Sequence, residues 1–277
     1  MEHNKYLKKI AVVSFWILVW QLSAITIGHS MLLPTPWDTL KTAIELALTP
    51  QLWTRAFFSM LSIVQGFGLG ILLGSIMAMV AAKFSFLKQL FQPIMLLAKA
   101  TPVASFVILA LLWLPSNRLP VFISFLMVLP IIYANILQGI LQTDLELLEM
   151  AKVFRLPFYK RLYAVYLPSV YSYLYTGCSV ALGLAWKSGI AAEVIALPKN
   201  SLGEALYQSK VFLATEEMFA WTAVVIFCSF LLEKTVLYFL KKLMFCPSKE
   251  ESDATDCKKS DQKLWQQTSV AGGKLSD

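Results

Sequence analysis

Residues 149–168 read EMAKVFRLPFYKRLYAVYLP, and the fold turns on what this stretch is. Lys152, Arg155, Lys160 and Arg161 place four cations within about ten residues, too many for the interior of a bilayer. Long apolar runs flank it on both sides. A basic, helix-prone segment between two membrane spans is a cytoplasmic loop by the positive-inside rule. Its local pattern is helix, corner, helix. Asp144 can cap a helix over 145–154, and Leu156-Pro157 stops it, because proline disfavours helix at the residue before it and suits the first turn of the next helix. The second helix, predicted over 157–166, sets Phe158, Leu162 and Val165 on one face. Leu167-Pro168 then starts the next span with a rigid corner. Two short helices across the end of a bundle form a docking element, able to pass a push from a soluble partner to the spans it joins.

The composition agrees with a membrane body. The chain has 277 residues, 57% hydrophobic and 15% charged, with mean hydropathy +0.63. Soluble domains carry about 25% charged residues. The net charge of +7 collects at span ends, which fits membrane topology and not nucleic acid. Cys178, Cys228, Cys246 and Cys257 form no CxxC, and neither a disulfide framework nor a metal site is predicted.

Six spans are predicted, with both termini inside, at about 10–27, 57–82, 93–114, 119–139, 169–195 and 218–240. Lys5, Lys8, Lys9, Lys83, Lys88, the loop cations, Lys241 and Lys242 mark the inner ends; Lys41, Arg55, Arg118, Lys199 and Lys210 are outside, partly offset by acids. The first run is too long for a signal peptide and lacks a small-residue cleavage motif, so it reads as an uncleaved span. Pro34 and Pro36 end it, and Asp38 or Thr39 is the expected cap of a short amphipathic surface helix reaching about Leu48. In the second span Gly66, Gly70 and Gly74 fall four apart, a spacing for close helix packing in lipid; without a preceding strand or a GK[ST] sequence they make no phosphate loop. Thr101-Pro102 interrupts the third span. Lys99 sits about a turn and a half inside it, placed either to snorkel to the inner interface or to face the bundle interior. Pro120 and Pro130 kink the fourth. Residues 198–217 read as a polar outer stretch. The organisation is an N-terminal span with its surface helix (1–52), a transmembrane domain (53–245) and a disordered cytoplasmic tail (246–277).

The loop resembles the coupling loop of binding-protein-dependent ABC importer permeases. That pattern is Glu-Ala-Ala, three residues, Gly, nine residues, Ile, one residue, Leu-Pro. It is met at Glu149, Ala151, Val165 (for Ile), Leu167 and Pro168 with the spacing intact. It departs at Met150 for the first alanine and at Arg155 for the glycine. Arg155 thus replaces a glycine hinge, and Pro157 is an alternative source of the corner. Leu32-Leu33-Pro34-Thr35-Pro36, Ala100-Thr101-Pro102, 182–186 (LGLAW) and Ala192-Glu193 are similar to the nitrate/sulfonate/taurine-type subgroup. The likeness covers residues 10–242. It implies an all-α membrane protein with the six transmembrane helices of the type I importer fold and a cytoplasmic coupling-helix loop. It implies a homodimer in the bacterial inner membrane, two cytoplasmic ATPase subunits and an external binding protein. The solutes it implies are nitrate, sulfonates, taurine or heterocyclic vitamin precursors.

Glu149, Met150, Ala151, Arg155, Pro157, Val165, Leu167 and Pro168 are the candidate coupling residues. Glu149 contacts a groove on the ATPase or is a solvated carboxylate; Ala151 is small to let its helix sit close to a partner. Lys187 lies about 28 Å from the inner corner at 1.5 Å per residue, where it either draws an anionic solute into the path or snorkels outward. Glu193, roughly 240° round the helix from it, is no i,i+4 ion partner and is a candidate path, gate or interface residue. Trp20, Trp113, Trp186 and Trp221 fit interfacial anchors or packing. A membrane enzyme needs a cluster of His, Asp or Glu at one level; His3 and His29 sit at the terminus and in an outer turn. No phosphate-binding loop occurs, so hydrolysis is expected in a separate chain, with no cofactor in this one. The competing reading is a non-transporting assembly subunit.

Overall fold

The computed structural model describes residues 2–29, 31–155, 157–161 and 165–244. The tail at 245–277, with Cys246 and Cys257, lies outside the described residues, as do Leu156 and Leu162 to Ala164 of the loop. Residues 1–237 form one compact unit; a second begins at Tyr238, described only to Met244.

The described chain is helical. α1 covers Glu2–Ile27, α2 Pro36–Ala47, α3 Pro50–Lys83, α4 Ser85–Ala100, α5 Val103–Ala110 and α6 Leu119–Leu141; α7 covers Leu145–Val153, α8 Phe158–Arg161, α9 Leu167–Ala196, α10 Leu202–Val211 and α11 Thr215–Met244. Five of them (α1, α3, α6, α9 and α11) are long and apolar enough to cross a membrane, and the bent pair α4–α5 makes a sixth crossing if it counts as one span. At 34 residues α3 is about 51 Å long, so in a hydrocarbon core of about 30 Å it tilts or projects.

α6 is the centre, with α3 and α9 packed along it. The glycine spacing explains the first contact. A Cβ on Gly66 would stand 2.3 Å from the Val121 carbonyl oxygen, and one on Gly70 2.6 Å from Val128 Cβ. The predicted close approach of this ridge is therefore made, and made against α6. Gly68, between them, faces open space. Gly189 of α9 lies against both helices: a Cβ there would meet Ile63 Cγ1 of α3 at 2.6 Å and Ser124 Oγ of α6 at 2.8 Å.

The third span differs from its expectation. Its helix starts at Ser85, with Pro93 inside it, and α4 meets α5 at a bend of 101°. Thr101 is extended (φ −79°, ψ 133°), as the residue before a proline is pushed to be, and Pro102 follows in the same region (ψ 134°). α5 then packs on α9 and α6, where Val107, Ala110, Leu119, Ile123, Ala192 and Ala196 form one buried cluster.

The cap of α2 is also corrected. Thr35, not Asp38 or Thr39, is the N-cap: its hydroxyl accepts from the Asp38 amide at 3.2 Å and donates to the Asp38 carboxylate at 2.6 Å, with Pro36 opening the helix. Proline at the first helical position presets φ, which moves the start three residues upstream of the acid. Within 198–217 lies a helix the polar composition concealed, α10.

Candidate functional site

Two places gather functional groups, one at each end of the α6–α9 pair. At the loop end, Asp144 caps α7: its carboxylate accepts from the Glu146 amide at 2.9 Å. Gln142 accepts a hydrogen bond from the Tyr173 hydroxyl, which ties the entrance of the loop to α9. Ala151 is buried at 2% exposure. Glu146, Glu149, Met150 and Val153 are exposed, the last two at 52% and 80%. Their spacing of three and four residues puts them on one side of the helix, away from Ala151. α7 thus turns its small residue inward and an apolar pair with two carboxylates outward.

The corner is made at Arg155. Its φ is 47°, the left-handed region that glycine occupies without steric cost. Pro157 is not needed as a second source of the bend; it directly precedes α8. Arginine holds the conformation a glycine would take freely, at a cost of about 1 kcal/mol. Arg155→Gly is therefore expected to slow hydrogen exchange of the α7 amides about threefold to fivefold; unchanged exchange would show that the corner carries no strain.

Of the second loop helix, 158–161 is α8, and the predicted continuation through 162–164 lies outside the described residues. Val165 is buried at 7% exposure, and Leu167 and Pro168 are exposed. Pro168 is not a corner. Tyr166, two residues before it, is helical (φ −74°, ψ −41°) and Pro168 lies in the first turn of α9, where its missing N–H costs no hydrogen bond.

At the other end, Glu193 is fully buried. Its Oε2 accepts from the Ser59 hydroxyl at 2.8 Å and from the Gly203 amide at 3.0 Å. Ser59 Oγ in turn accepts from the Leu202 amide at 3.0 Å. One carboxylate thus joins α3, α9 and the first turn of α10. The approach needs Gly203, because a Cβ there would meet Glu193 Cβ at 2.3 Å. The rim is charged: Arg55 Nη1 lies 3.6 Å from Glu204 Oε2, 3.4 Å from the Ser201 carbonyl, and its guanidinium sits 5.9 Å from the centre of a Trp221 ring. Trp186 and Trp221 are buried and Trp113 is 76% exposed, so the first two pack and the third does not.

The sequence reading missed α10 and its seat. The signal was Ser201-Leu-Gly-Glu204, a serine three residues before a glutamate: Ser201 Oγ accepts from the Glu204 amide at 3.0 Å, and Glu204 accepts from the Asn200 amide at 2.8 Å. Lys187 is apart from this cluster. It is exposed on a stripe of α9 with Ser172, Thr176 and Leu184, and a Cβ on Gly183, beside them, would touch nothing. The structure therefore separates the two residues first grouped as path candidates, one outward and one inward.

Residues 70–244 match the family model described as "Binding-protein-dependent transport system inner membrane component". A protein of Bacillus subtilis provisionally named an aliphatic sulfonates transport permease is 25% identical over 222 residues, covering 78% of each chain. A bicarbonate transport system permease protein of Synechocystis is 27% identical, covering 65% of this chain and 68% of its own. A nitrate import permease protein of Synechocystis is 21% identical, covering 69% and 72%.

Proposed function

The chain belongs to the family of binding-protein-dependent transport inner membrane components, as a multi-pass permease subunit of an ABC importer, and from that premise we propose that two copies of it form the path of a small anionic solute. The relatives named for sulfonates, bicarbonate and nitrate share anionic cargo, and this supports the same class here. Family membership implies an ATPase and a substrate-binding protein as partners; the energy comes from that separate ATPase subunit. The loop end faces the cytoplasm together with both termini. α1 and α11 expose most of their apolar residues and meet lipid.

One observation carries the coupling role: α7 turns Met150 and Val153 outward, with Glu146 and Glu149 on the same side, on a helix bracketed by two spans. An apolar pair with carboxylates beside it, outside the hydrocarbon core, suits a groove on a soluble partner. Glu149, Met150, Ala151, Arg155, Pro157, Val165, Leu167 and Pro168 set the shape of that element. Lys187 lies along the solute path, and Glu193 acts at the path's outer end by fixing α10.

The test is co-purification of the tagged chain with its ATP-binding subunit. Glu149→Arg is expected to weaken the association at least tenfold while leaving the permease folded, since Glu149 is exposed. Retention of the ATPase by Glu149→Arg with transport intact would overturn the docking role.

A further inference from the structure

We propose that Lys99 is a second cation of the solute path, and that Lys99 and Lys187 of each copy together select small anions. This rests on the importer reading above and adds a residue and a selection mechanism to it.

The start of α4 carries the case. With the helix beginning at Ser85, Lys99 lies fourteen residues on, about 21 Å along the axis. α4 climbs beside α6: Phe91 stacks edge-on with Tyr133 at 6.3 Å, and Met95 and Ala98 are buried. Lys99 is therefore in the second half of a core about 30 Å thick. Lys88, the cation at the loop end of the same helix, is about 16 Å behind it, farther than a lysine side chain spans. Snorkelling to the inner interface is excluded by this length.

The exposed surface of α4 carries two stripes, with Leu96, exposed at 66%, at the edge of the polar one. Ser85, Lys88, Gln92 and Lys99 are all exposed, and their spacing of three, four and seven residues puts them on one side of the helix. Leu90, Ile94 and Leu97, exposed at 49%, 53% and 65%, make a separate stripe at spacings of four and three. A helix that meets only lipid has no use for the first stripe, since a lysine at membrane depth costs about 3 kcal/mol. A helix between lipid and a wet path uses both. α9 repeats the arrangement on its Ser172, Thr176, Lys187 side. Among the described residues the one ion pair is Arg55 with Glu204, so neither lysine is neutralised there by a carboxylate. Lys99 also stands just before the 101° break, where the span changes direction.

The consequence is a cation in the second half of each of two helices: Lys187 is about 30 Å along α9 from Leu167, and Lys99 about 21 Å along α4 from Ser85. Paired across a dimer they give four positive charges around one path, which concentrate anions and repel cations.

Cysteine accessibility tests this without knowing the cargo. Lys99→Cys is made in the full chain, expressed with its ATPase, and intact cells are treated with two membrane-impermeant thiol reagents. One is anionic (sulfonatoethyl methanethiosulfonate) and the other cationic (trimethylammonioethyl methanethiosulfonate). The unsubstituted chain, with its own four cysteines, sets the background. Lys99→Cys is expected to react, and adding Lys187→Ala to slow the anionic reagent at least about threefold relative to the cationic one. Leu97→Cys, on the apolar stripe, stays unreactive. If Lys99→Cys does not accumulate, Gln92→Cys on the polar stripe gives the same comparison. No reaction with either reagent, as for a lysine turned to lipid headgroups, overturns the proposal, and so does a ratio that Lys187→Ala leaves unchanged. A chain that still co-purifies with its ATPase but fails here loses only this inference.

Discussion

Gly66→Ala is expected to destabilise the protein by about 3 kcal/mol or more, and Gly68→Ala to leave it unharmed or slightly firmer. Both glycines lie in α3, two residues apart. By helix propensity alone each change gains about 1 kcal/mol. At Gly66 the new methyl meets the Val121 carbonyl oxygen at 2.3 Å, Ser124 Cβ at 2.8 Å and the Phe125 amide nitrogen at 3.0 Å. Two of these are backbone atoms of α6 and cannot swing aside, so the helices must separate along the ridge that also holds Gly70 and Gly74. Overpacking of this kind exceeds the propensity gain. At Gly68 nothing stands within 4 Å, and only the propensity remains. Thermal unfolding in detergent reads both. Equal midpoints for the two variants would show that the α3–α6 contact is not set by the glycines.

Glu193→Ala is expected to cost about 2–5 kcal/mol, most of it restored by Glu193→Gln. The alanine leaves the Ser59 hydroxyl and the Gly203 amide buried without an acceptor, and each such orphan costs about 1–3 kcal/mol. Glutamine keeps an oxygen where Oε2 accepts from both. The damage falls on α10, so its amides in Glu193→Ala exchange with solvent faster than those of α6. If exchange in α10 does not change, the carboxylate is not what seats it. If glutamine fails to restore stability, the negative charge matters beyond hydrogen bonding, and a role of Glu193 in the path regains weight.

The loop shows where reading a chain by residue type stops. Its place between spans, its two-helix form and its corner near Leu156-Pro157 followed from four cations and one proline. The corner's location did not. Arg155 occupies a left-handed conformation that its residue type disfavours, so no propensity signals it; only the family pattern, with glycine there, hinted at it. α10 was lost for the opposite reason. Its capping serine and glutamate are in the sequence, but residues 198–217 carry enough charge to read as solvated loop, and the burial of its first turn comes from Ser59 and Glu193 on other helices. Lys99 lies farther along its helix than a span starting at Pro93 implies, because α4 starts at Ser85 and carries that proline internally.

By itself the sequence determined the class of the protein, five segments long and apolar enough to cross lipid, and a basic stretch that cannot enter it. Those follow from one solvent rule: about 20 apolar residues satisfy their own backbone in a bilayer, and clustered cations cannot enter it. The tertiary structure alone decided which glycines are contacts, which carboxylate is buried, and which lysines are exposed. Periodicity tells which residues share a helix face; what covers that face is set by chain far away, as Ser59 is from Glu193 across 134 residues.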